Sequence, residues 1–214
     1  MSGYEILSID DLDRFSTTHG TQVLRPLRRR LGFQPFGVNV WVGEHTGDHV
    51  IERHREADGT EELYVVLRGT ARFTLGEETF DAPAGTLVHA PPGTLREAFA
   101  GEPETTVLAM GAKAGEAFTP SGWEDFYVAY ALLRAGEAER GREAMQAALT
   151  REPGAWQGAF NAACFEALAG ETDAALAHLA RALELNRAEV LEYAPADSDL
   201  DSIRNDPRFA ELVR

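Results

Sequence analysis

The hydrophobic period of this 214-residue chain changes once, near residue 120, and that change limits the fold more than any other feature. Between about residues 31 and 118 the sequence is cut into short pieces by Gly and Pro. The pieces, among them 37–42, 63–67, 71–75, 86–90 and 105–110, carry β-branched and aromatic residues in alternation. Alternation sends successive side chains to opposite faces of a strand, so each piece buries one face, and many short strands of this kind suit a closed barrel or jelly roll. From Trp123 onward the period is helical. Laid on itself at an offset of 34 residues, this part matches Gly136 to Gly170, Ala129 to Ala163, Ala148 to Ala182 and Leu149 to Leu183. A fixed period, with small residues where paired helices approach, marks a helical array. The expected fold class is α+β in two parts: an extension over residues 1–34 packing on a barrel over 35–118, then helical repeats over 122–214 that end in a C-terminal cap. Within the extension, Asp10-Asp11-Leu12-Asp13 reads as a helix start.

Composition narrows the function classes. The net charge is −15, shared evenly: residues 1–120 carry 11 basic against 18 acidic side chains, and the remainder 9 against 17. Both halves repel phosphate backbones, which argues against nucleic acid or an anionic membrane as the main partner. The local exception, Arg25-Pro26-Leu27-Arg28-Arg29-Arg30, is expected to be a solvated basic face near a helix end, with an anion patch as the other reading. The first residues lack a basic region followed by an apolar stretch, and no run of about eighteen apolar residues occurs, so the expected location is cytoplasmic. A single cysteine, Cys164, sits among small apolar residues and is expected to be a core residue. Lys113 is the one lysine, which makes Schiff-base chemistry a poor guess. No phosphate-cradling loop, nucleophile elbow or paired-cysteine metal site is present, and adjacent acids such as Glu61 and Glu62 face opposite ways on a strand.

The stretch from Glu62 to Gly69 reads E-L-Y-V-V-L-R-G, and Pro83 to Arg96 reads P-A-G-T-L-V-H-A-P-P-G-T-L-R. Together these resemble the signature motifs of the cupin superfamily, small β-barrels whose pattern runs H-x-H, E-x6-G and P-x-G-x2-H. The glutamate spacing fits. The first motif keeps His54 and has Glu56 where its second histidine is expected, and Arg96 stands in place of the last histidine. In metal-binding cupins histidines and a glutamate converge inside the barrel, so the resemblance implies a divalent transition-metal site at His54 and Glu62, joined by Glu56 and a displaced His89. Arg96 opposes it, because a guanidinium is permanently charged and has no lone pair to give a metal. The 34-residue helical period likewise resembles the tetratricopeptide repeat, departing from it at Gly141, where an alanine is expected and a weakened helix follows.

Alternation places Glu62, Tyr64 and Val66 on one face, which the resemblance makes the interior. His54, Glu56, Glu62, Tyr64, His89 and Arg96 are the candidate ligand-binding residues, with an Arg96–Glu62 pair, or an Arg96 contact with Glu56, expected in the free protein. His49 and His54 are five apart, a spacing that fits neither a strand face nor a helix turn well. The leading reading is a bacterial-type cytoplasmic fusion: a metal-poor barrel that binds a small, anionic molecule, joined to a helical module that recruits a protein. The rival is a metal-dependent oxygenase or isomerase using His54, Glu56 and Glu62. A third reading makes the barrel a homodimerisation block and the repeats the working part.

Overall fold

The structure, a computed structural model, describes residues 4–16, 22–56, 59–120 and 122–214. The chain divides into two compact units, the first ending at Pro120. The described strands of the first unit are β1 (Phe15–Ser16), β2 (Val23–Arg25), β3 (Gly37–Gly43), β4 (His49–His54), β5 (Thr60–Arg68), β6 (Thr70–Leu75), β7 (Glu78–Pro83), β8 (Leu87–Ala90), β9 (Arg96–Ala100) and β10 (Thr105–Lys113). They form two sheets, in the orders β1-β2-β3-β10-β5-β8 and β4-β9-β6-β7, and every pairing is antiparallel. Alternation turns one face of each sheet inward, and the two inner faces share a core that includes Val50, Tyr64, Val66, Phe73, Val88 and Val107. The double-sheet barrel expected from the strand spacing is the architecture observed. A two-residue loop closes the hairpin of β6 and β7, where Gly76 takes φ +61°, a conformation that L side chains rarely adopt.

The outer face of β3 is covered by the segment before it: Leu7, Ile9, Leu12 and Leu27 pack with Val40 and Val42. The expected helix start shrinks to one 3-10 turn, Ile9–Asp11, closed by a capping box between Ser8 and Asp11. The basic run divides: Arg29 and Arg30 are exposed in the last turn of a short helix, as a solvated face requires. Arg28 begins no solvated face; it and Arg25 are buried, at 3% and 4% exposure, and Arg25 donates from Nη1 to the backbone carbonyls of Ile9 and Leu12. Backbone acceptors take up part of this guanidinium's hydrogen-bonding capacity, while its Nε is buried with no hydrogen-bond partner among the described residues. The short helix α1 (Leu27–Leu31) that carries the run ends at Gly32, φ +63°.

The second unit consists of α2 (Trp123–Arg134), α3 (Ala138–Arg151), α4 (Trp156–Leu168), α5 (Thr172–Tyr193) and α6 (Pro207–Leu212). Helices α2 and α3 form one hairpin and α4 and α5 a second. The turns hold Gly136 and Gly170 at φ +80° and +84°, at matching places in the 34-residue period. Helix α3 is continuous through Gly141. The missing side chain is a packing requirement: a Cβ would lie 2.8 Å from the Phe165 ring and 2.9 Å from the Ala129 carbonyl oxygen. Helix α5 breaks at Asn186, whose side-chain oxygen accepts from the Glu189 amide and restarts the helix. Cys164 is buried on α4, and burial pushes its thiol well above the ordinary range, as befits a core residue. No helix among the described residues is long and apolar enough to cross a membrane.

Candidate functional site

Three strands and one turn bring the candidate residues together. Strand β5 turns Glu62 and Tyr64 inward, opposite Ala90 of β8 and Gly111 and Ala109 of β10. Strand β9 opens on Arg96, and the register sets His54, the last residue of β4, beside it. Two irregularities in β4 lie between His49 and His54. The odd spacing leaves the two histidines on opposite faces: His49 stacks on Phe99 and meets Glu97, while His54 faces the interior group. Glu56 is placed by the turn before β9, since its carbonyl accepts from the Gly93 amide and Arg55 donates to the Gly93 carbonyl.

Glu62 is the hub. Its Oε2 accepts a very short hydrogen bond from the Tyr64 hydroxyl and lies 3.0 Å from Arg96 Nε and 3.4 Å from His54 Nε2. His54 Nε2 is also 3.7 Å from Glu56. Nδ1 of His54 donates to the Glu52 carbonyl at 2.8 Å, which fixes the tautomer and points Nε2 at the carboxylates. All three contacts on Glu62 fall on Oε2; Oε1 accepts nothing among the described residues, on a side chain 15% exposed.

Arg96 is the largest fully buried side chain among the described residues. Its Nη1 donates to the Thr94 carbonyl at 2.8 Å. The Nε–H is not aimed at Glu62 despite the short distance, so that contact is coulombic, and both Nε and Nη2 are buried with no hydrogen-bond acceptor among the described residues. Orphaned donors of this kind are rare in a packed interior, and those of a charged group cost more than most.

The charges shift one another. Acceptance by Glu62 raises His54 above its ordinary value, against the opposing effect of burial. Burial pulls Glu62 upward, but the hydrogen bonds from His54 and Tyr64 and the charges of His54 and Arg96 outweigh it and leave Glu62 below the ordinary carboxylate range. Burial, with the negative charge of Glu62 beside it, drives the Tyr64 hydroxyl far upward, so Tyr64 is a donor at every physiological pH.

Arg96 and the Tyr64 proton oppose a divalent transition metal in this arrangement. Donor atoms of His54, Glu56 and Glu62 do converge within 4.8 Å of one another. They supply one nitrogen and two carboxylates, however, and the central carboxylate is already held by a hydroxyl proton and a fixed cation at 3.0 Å. An ion there would meet that cation in a partly desolvated site. His89 does not join the group. It lies on the outer face of β8, where its Nε2 meets Glu61 at 3.1 Å.

The sequence alone does not single out one contributor. Gly111 makes room for the hub, since a Cβ there would lie 3.1 Å from Glu62 Cγ. Beside Glu62 a shallow groove of about 380 Å³ includes Phe36, Leu63, Met110 and Lys113 in its wall, with Glu61 and His89.

No protein-family model and no curated protein matches this chain. Solved structures do resemble its first half. A sugar phosphate isomerase of the cupin superfamily from Silicibacter pomeroyi is 17% identical, with 51% of this chain and 76% of that one covered, at a TM-score of 0.46. KdgF from a Halomonas species is 16% identical, covering 51% and 93%, at 0.41. A cupin protein from Bacteroides fragilis is 24% identical, covering 56% and 93%, at 0.40. These are likenesses of fold. The architecture, on its own strand order, is a cupin-like barrel followed by a helical region.

Proposed function

We propose that the barrel is a small-molecule binding domain that takes an anionic ligand at Arg96 without a metal, and that the helical unit is a tetratricopeptide-type module for a protein partner. One observation carries the first part: a fully buried guanidinium with unsatisfied Nε and Nη2 stands where the motif resemblance places a metal-binding imidazole. An incoming carboxylate or phosphate offers these donors two parallel hydrogen bonds, which Glu62 in its present orientation does not. For the second part the support is the paired hairpins and their turn glycines in a 34-residue period.

The convergence of His54, Glu56 and Glu62 favours a second reading, a metal-dependent enzyme. Elemental analysis and calorimetric titration with divalent ions separate the two. The expected result is no stoichiometric metal in the purified chain and tight metal binding only after Arg96→His, which removes the fixed cation and adds an imidazole. Anion binding should weaken in the same variant. A parent protein that already holds one metal tightly, with nothing added by Arg96→His, would replace the first reading with the second.

A further inference from the structure

The same pocket says more about its ligand than that it is anionic. Nε and Nη2 form one edge of the guanidinium plane, the side-on fork that receives both oxygens of a carboxylate, and it is this edge that is buried and unmet. Directly beside it stands Glu62, 3.0 Å from Nε. A simple carboxylate in the fork would put two negative groups side by side in a largely dry site, where repulsion is strong. The repulsion is offset if the ligand itself donates a hydrogen bond to Glu62. One oxygen is open for that bond: Oε2 carries every contact from the protein, and Oε1 carries none among the described residues. Open donors and an open acceptor thus lie next to each other.

Resting on the anion-binding reading above, we infer that the ligand is a 2-hydroxy carboxylate, its carboxylate in the Arg96 fork and its neighbouring hydroxyl donating to Glu62 Oε1. The hydroxyl belongs on the adjacent carbon because fork and acceptor are adjacent.

Calorimetric titration of the full chain with D-lactate, L-lactate, propionate and 2-methoxypropionate tests this. Propionate keeps the carboxylate and lacks the hydroxyl; 2-methoxypropionate keeps the oxygen and lacks its proton. A hydrogen bond to a charged group predicts that one lactate enantiomer binds at least about tenfold more tightly than either comparison acid. In Glu62→Gln, whose amide donates as well as accepts, that preference should fall below about threefold. The wild-type comparison with 2-methoxypropionate stands whether or not this variant folds. Equal binding of lactate and propionate overturns the hydroxyl requirement and leaves the anion site intact. Binding of none of the four acids overturns this inference, and if inorganic phosphate also fails to bind, the anion site falls with it.

Discussion

His54 shows how one side chain couples the pocket to solution conditions. Its ring is held at both nitrogens, by the Glu52 carbonyl and by Glu62, and the protonated form satisfies both partners. The folded value therefore lies above the ordinary figure of about 6.5. A raised value contributes stability that is fully present below about pH 6.5 and is lost as pH rises through the folded value. Glu62 works in the other direction: held low, it contributes stability that is present above the ordinary carboxylate range and lost as pH falls through its depressed value. Thermal melts across pH should accordingly decline on both sides of a plateau, and His54→Gln should remove the alkaline decline and lessen the acid one, since His54 also helps to hold Glu62 low. An unchanged alkaline decline in that variant would assign it to other groups.

Much of the pocket was legible at this scale, because period two and motif spacing are enough to put Glu62 beside Tyr64 and within reach of Arg96. His89 was not. In a strand of four residues such as Leu87–Ala90, parity depends on where the strand begins, and small apolar neighbours on both sides hide which face is inward. The tautomer of His54 was equally out of reach, since its partner is a backbone carbonyl that no residue type advertises.

At the scale of elements, α3 carries the clearest instruction. Helix propensity alone says that Gly141→Ala should stabilise an interior helical position by about 1 kcal/mol. Packing says the opposite, because the new methyl would meet both the Phe165 ring and the Ala129 carbonyl at under 3 Å. Overpacking of a fitted contact costs about 1–3 kcal/mol, and one of the two neighbours here is backbone, which yields least. Gly141→Ala is expected to lower the melting temperature of the chain, and a rise would show that α3 shifts freely. The period and turn glycines were readable along the chain, whereas the role of Gly141 required knowing what crosses it. The N-terminal segment gives the same lesson in reverse. Its acids look like the first turn of a helix, but Leu7, Ile9 and Leu12 are drawn onto the outer face of β3 and only one turn is left.

For the whole molecule, the change of period and the division at Pro120 coincide, and each side of it contains an apolar core of its own. Residues 1–120 expressed alone are expected to be soluble and to melt cooperatively, as a domain with its own core does. An insoluble or non-cooperative fragment, set against a well-behaved full chain, would make the helical unit a structural requirement of the barrel.

Lys113 adds a practical consequence. It is the chain's one lysine, and it stands in the wall of the groove that adjoins Glu62. An amine-reactive fluorophore therefore has a single side-chain target in this sequence, in the wall of the groove beside Glu62. A label there reports on occupancy of that groove by a change in emission, with no residue altered to install the probe.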